Sequence, residues 1–206
     1  MDALSLAEKI QAEAITIDMD GMGCTENHCR ALEWLNESQG DWVCVLEDDA
    51  LITNNFRQQL EMAVAKAPSP IVSLYLGRGR PKGAQHLIAK AIVQNPSSTI
   101  DHNWIVSTYM LHAVGYVIRK SLLPELIEWL QEQEPIDEAI SDFAQQNHLA
   151  ISYTRPSLID HRDDQPVITV RVSRYPDDAQ RNEIRKAWMV GERKNWDETF
   201  VLMDSL

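Results

Sequence analysis

Trp42-Val43-Cys44-Val45-Leu46-Glu47-Asp48-Asp49-Ala50 is the stretch whose reading decides the fold. Its first five residues form an unbroken apolar run, the pattern of a central strand in a parallel sheet covered on both faces. Three acids follow at once. Drawn into a protein, each carboxylate loses hydration, and like charges a few ångströms apart repel. A hard divalent cation, Mg2+ or Mn2+, answers both problems, because it takes carboxylate oxygens and keeps positions for substrate phosphates. In extended geometry Glu47 and Asp49 face one way and Asp48 the other. The strand end then presents an acid-x-acid pair, with Asp48 directed at neighbouring backbone or substrate hydroxyls. The plain alternative is a solvated strand end whose acids are turn residues.

Working outward, Leu4, Ala7, Ile10 and Ala14 recur at helical spacing and predict an opening amphipathic helix. Ala14–Ile17 reads as a short strand. Thr25 is placed to cap a helix through Glu37 that buries Cys29, Leu32 and Leu35. Beyond the acids, a helix from Asn54 or Asn55 to about Lys66 precedes a strand at 71–76. Gly77-Arg78-Gly79-Arg80-Pro81-Lys82-Gly83 reads as a flexible basic loop. Strands follow at 104–106 and 113–118, helices at 122–133 and 136–147, and a last strand at 149–153. From about Ser173 the chain turns polar, with one helical patch at 177–188. This alternation predicts an α/β domain over residues 1–172, a mainly parallel sheet flanked by helices, and a helical extension over 173–206. In such sheets ligands bind beyond the carboxyl ends of the strands, where Glu47-Asp48-Asp49 falls.

The chain has 206 residues, 44% of them hydrophobic, enough for one domain with a real core. No stretch approaches the roughly 18 consecutive apolar residues of a membrane span, and the first residues lack the layout of a secretory signal. A cytoplasmic location is expected. The three cysteines, Cys24, Cys29 and Cys44, match no zinc pattern, with no CxxC and no second cluster, and read as reduced thiols. A net charge of −12 argues against broad electrostatic binding to nucleic acid.

The acids do not stand alone. Gly23-Cys24-Thr25-Glu26-Asn27-His28 opens the helix that leads into the apolar strand and Leu46-Glu47-Asp48-Asp49-Ala50. Later come Leu111-His112-Ala113-Val114-Gly115-Tyr116 and Pro135-Ile136-Asp137. This order resembles glycosyltransferase family 25, the lipooligosaccharide-biosynthesis type. Its members carry a Gly-Cys, a Ser-His opening a helix, a strand ending close to Leu-Glu-Asp-Asp-Ala, a Thr-His-Ala-Tyr strand and a Pro-Ile-Asp. The resemblance spans roughly residues 20 to 160. It implies a GT-A fold, a nucleotide-sugar donor (a UDP-sugar first), Mn2+ or Mg2+ at the acidic box, and Asp49 as first ligand with Glu47 beside it. The metal would bridge the donor diphosphate and stabilise the negative charge left as the sugar departs. In departure from the family, Asn27 stands where it has Ser, and Val114-Gly115 is inserted. The chain also opens at what corresponds to the first helix, so the family's opening strand, which helps seat the base, is expected to be absent. A short relative of phage-like economy fits these departures.

Other residues join the candidate site. His161, after the last strand, can complete the metal shell, since imidazole binds manganese acceptably. Its alternative is a surface-loop histidine, with Asp160 and Asp163 as substitutes. Asp137 is a candidate general base for an inverting transfer, or merely an acid at a helix N-terminus. Asp48 is the second catalytic candidate. His28 can touch a phosphate or sugar, or close a cap with Thr25. His112 reads as a hydrogen-bonded core residue. Arg78, Arg80 and Lys82 can clamp a diphosphate as a mobile lid, or form a solvated loop.

Three functions are consistent with these residues. The first is transfer of a sugar from a nucleotide-sugar to a glycan or another hydroxyl acceptor, which in a phage setting includes a hydroxymethylated DNA base, an option the charge disfavours. The second is a fold that binds without turnover. The third is a metal-dependent hydrolase, which requires a second metal about 4 Å from the first.

Overall fold

The computed structural model describes residues 3–19, 21–79, 81–93, 101–131, 133, 135–162 and 185–203. Among the described residues six α-helices pack around the sheet: α1 (Ala3–Ile10), α2 (Cys24–Asn36), α3 (Phe56–Val64), α4 (Lys82–Val93), α5 (Leu123–Leu130) and α6 (Ile136–Gln146). The strands are β1 (Trp42–Leu46), β2 (Ala50–Ile52), β3 (Ile71–Ser73), β4 (Trp104–Ser107), β5 (Gly115–Arg119), β6 (Ile151–Thr154), β7 (Ile159–His161) and β8 (Phe200–Leu202).

Six strands form one sheet in the order β1-β5-β3-β6-β4-β8, and β2 pairs with β7 in a small ribbon. The α/β architecture is the expected one. The parallel pairs are β3–β6 and β4–β8; β5 lies antiparallel between β1 and β3, and β4 antiparallel to β6. Strand β1 is therefore an edge strand among the described residues, not the central one its apolar run suggests. The run has a different cause. Val43 and Val45 pack into the core under α2, α4, α5 and α6, while Trp42, Cys44 and Leu46 pack into the core under α1 and α3. Both faces are covered, so neither is polar.

Helix α1 ends at Gln11, whose φ of 54° lies in the left-handed region, so Ala14 falls outside the helix. Residues 14–17 form no strand; the segment is held instead to α2 by the Asn27 side-chain amide donating to the Thr16 carbonyl at 3.4 Å. Thr25 does not cap α2. Gly23 is the N-cap residue, with φ 99°, and Thr25 is buried inside the first turn. The expected flexible loop at 77–83 gives way at Lys82 to α4, whose Ala84, Ile88 and Ala91 face the core. Of the helical patch expected at 177–188, residues up to 184 lie outside the described residues, and Ala187 forms a bridge with Gly77 instead. The C-terminal segment then returns to the sheet as β8.

Candidate active site

The acidic triplet sits where β1 ends, but not in extended form. The Ala50 amide donates to the Glu47 carbonyl at 3.1 Å, which makes residues 47–50 a turn into β2. Expected alternation is lost, and the acids diverge. Glu47 points toward α2, Asp48 is exposed, and Asp49 points toward β7.

On the α2 side, Cys24 and His28 stand one helical turn apart and share a face. His28 Nε2 lies 3.4 Å from Glu47 Oε1, and Cys24 Sγ lies 3.8 Å from the same oxygen. The other ring nitrogen of His28, Nδ1, is 2.9 Å from the Tyr116 hydroxyl, and the two rings stack. His28 and Tyr116 are both buried. Burial, reinforced by the negative charge of Glu47, pushes the Tyr116 hydroxyl well above its ordinary pKa, so the phenol stays protonated. His28 therefore makes no cap with Thr25; it joins α2, β1 and β5 through one ring.

On the β7 side, His161 Nε2 lies 3.0 Å from Asp49 Oδ2. His161 is 2% exposed and sits opposite Ala50 in the β2–β7 ribbon, so it is a buried strand residue and not part of a surface loop. Burial alone would raise the Asp49 pKa. The hydrogen bond from His161, with the positive charges of His161, Arg185 and Arg162, outweighs it and holds the carboxyl below its usual value. Among the described residues the second oxygen, Asp49 Oδ1, is buried with no hydrogen-bond partner. An orphaned carboxylate oxygen in this position is costly, and a hard cation is one group that would satisfy it. The pair Asp49–His161 thus has donor chemistry suited to Mn2+ or Mg2+.

Between the segment 12–18, helices α1, α2 and α3, and strand β1 lies a cavity of about 530 Å3. Glu47, Asp48, His28, Cys24 and Asn27 face it on one side, and Leu6, Ile10, Ile15 and Trp34 give it apolar walls. Its size falls within the range of small-molecule sites.

The remaining candidates are dispersed. Asp137 opens α6, where its Oδ1 accepts the Glu138 amide at 3.0 Å, and it is not on the cavity wall. Arg78 is exposed, its amide donating to the Lys186 carbonyl at 2.7 Å; Lys82 is exposed at the start of α4; Arg80 and Asp163 lie outside the described residues. Asp160 braces the fold, accepting the amides of His161 and Ala187 at 2.9 and 2.8 Å. Sequence reasoning did not nominate Cys24, Tyr116, Arg162 or Arg185. The i, i+4 spacing of Cys24 and His28 was a usable signal; the other three depend on long-range packing.

The described residues thus form an α/β sheet with two acids of one strand end, Glu47 and Asp48, on the wall of an adjacent cavity. The model for glycosyltransferase family 25 (LPS biosynthesis protein) matches residues 11–140, which cover α2, β1, the acidic turn and β5. The chain belongs to glycosyltransferase family 25. No curated protein matches it significantly. Among the described residues no helix is long and apolar enough to cross a membrane.

Proposed function

We propose that the chain transfers a sugar from a nucleotide-sugar, a UDP-sugar first among them, to a hydroxyl acceptor. One observation carries this reading: in a chain of family 25, β1 delivers Glu47 and Asp48 to a cavity of about 530 Å3 while Asp49 turns to a buried histidine. Mn2+ or Mg2+ held by Asp49 and His161 would supply positive charge against the diphosphate of the donor.

The chain's own groups account for the rest. The apolar walls with Trp34 suit a base and ribose, and Asn27 on the same wall offers a polar contact to phosphate or sugar oxygens. Asp48, exposed at the cavity, takes the proton of the acceptor hydroxyl in this reading as that oxygen attacks the anomeric carbon. Asp137 is the alternative base, and Arg78, Arg80 and Lys82 remain the candidate clamp on the donor. The positive charges of Arg185 and Arg162 also favour the ionised Asp49 carboxylate.

The test is incubation with a panel of nucleotide-sugars and Mn2+, together with glycans, a hydroxylysine peptide or hydroxymethylated DNA, read by acceptor mass and diphosphate release. One donor–acceptor pair is expected to gain the mass of a sugar residue. Asp49→Asn is expected to slow that transfer by roughly 100-fold, the order of loss when a stabiliser of developing charge is removed. Diphosphate release without any acceptor would favour hydrolysis, and binding without either product a fold used only for binding.

A further inference from the structure

Cys24, His28 and Glu47 form a second group of ligand-type side chains, distinct from Asp49 and His161. Cys24 is the first residue of α2 and His28 lies one turn on, so helix geometry alone stacks the thiol over the imidazole. Strand β1 then brings Glu47 to both. One ligand atom from each residue lies within 4.8 Å of the others, and the two distances to Glu47 Oε1 are 3.4 Å from the imidazole and 3.8 Å from the sulfur.

The two distances to Glu47 Oε1 are close to the edges of a tetrahedron around a small ion. Zinc bonds of about 2.3 Å to sulfur and 2.0–2.2 Å to nitrogen and oxygen separate adjacent ligand atoms by roughly 3.3–3.6 Å. The donor set selects the ion. Thiolate and imidazole suit zinc, whereas magnesium and manganese prefer oxygen. His28 also has the outer partner that metal-bound histidines use, because Nδ1 faces the Tyr116 hydroxyl at 2.9 Å and leaves Nε2 directed at Glu47.

We propose that Cys24 Sγ, His28 Nε2 and Glu47 Oε1 bind Zn2+, with a fourth position open to the cavity for water or an anionic oxygen. Binding releases the thiol proton to solvent. Three protein ligands and an open position are the pattern of a reactive zinc centre, not of a closed structural one. The proposal goes beyond sugar transfer and does not depend on it.

Co2+ titration of the untagged, reduced protein tests it, because cobalt reports its ligands optically. One equivalent is expected to give a thiolate-to-cobalt charge-transfer band in the near ultraviolet with the strong visible bands of tetrahedral cobalt, and Zn2+ is expected to abolish both. Cys24→Ser, an exposed position, is expected to remove the charge-transfer band and weaken Zn2+ binding by more than roughly 100-fold, beyond the loss of an outer-shell partner. Cys44→Ser and Asp49→Asn are expected to keep the band, which separates this centre from the other cavity thiol and from the Asp49 site. His28→Gln, with its fold checked by circular dichroism, is expected to lose the tetrahedral spectrum. Cobalt bound without a thiolate band, or a band that survives Cys24→Ser, would overturn the proposal.

Discussion

Gly115 stands between the two halves of the site. It opens β5 opposite Leu46, its carbonyl accepts the Leu74 amide, and the residue before it, Val114, accepts the Glu47 amide at 2.9 Å. A Cβ here would collide with Ile159 Cδ1 and lie 2.7 Å from Leu46 Cδ2. Leu46 precedes Glu47, and Ile159 stands two residues before His161, so the same methyl would press on both supports. Gly115→Ala is expected to destabilise the fold by about 1–3 kcal/mol, the usual cost of overpacking, measured as a lower urea midpoint. An unchanged midpoint would mean that β1 and β7 are looser here than their packing indicates. The same scale shows what single residues disclose. Asp49 and His161 were each nominated as ligands, and the fold brings them to 3.0 Å. Glu47 was assigned to the same face as Asp49, and the turn at 47–50 separates them, because a turn hydrogen bond and not strand geometry governs these residues.

At the scale of elements, the last described segment acts as a latch. Trp196 packs on Trp104 at 5.2 Å between ring centroids and donates to Gln59 Oε1 at 3.0 Å; Gln59 in turn bonds both the amide and the carbonyl of Arg193. Asn103 and Trp104 amides donate to Thr199, and β8 then extends the sheet beside β4. Trp196→Ala is expected to cost about 3–5 kcal/mol, as for other buried tryptophans, with loss of stability followed by urea unfolding. A cost under about 1 kcal/mol would make the segment a loose tail instead. The elements that were legible in sequence are those with a clear local pattern of apolar residues: α1, α2, α3, α5, α6, β1, β3, β4, β5 and β6. Those missed have local signals too weak to read. Strands β2, β7 and β8 are three residues each and exist only through distant partners. Helix α4 is hidden by Pro81 and Gly83 at its start, which read as loop residues even though Pro is well tolerated at a helix entrance.

Across the whole molecule, two cores sandwich the sheet, and the cavity opens along the outer side of edge strand β1, roofed by α1 and residues 12–18. The continuous apolar run of β1 was legible, while its place at the sheet edge was not, since coverage of both faces and centrality in a sheet give the same composition. The family was legible for a related reason: its recognisable residues cluster in α2, β1 and β5, which are the elements that surround Glu47. The central claim is that this assembly binds a nucleotide-sugar with a divalent cation at Asp49. Thermal melting tests it most directly, with a panel of nucleotide-sugars, with and without Mn2+, on the wild type and Asp49→Ala. A ligand at a hundredfold excess over its Kd adds about 2.7 kcal/mol to the folded state, which for a chain of this size raises Tm by roughly 5–11 °C. The expected result is a rise for one donor that requires Mn2+ and disappears in Asp49→Ala. No rise with any donor, or a rise that Asp49→Ala leaves intact, would contradict the account.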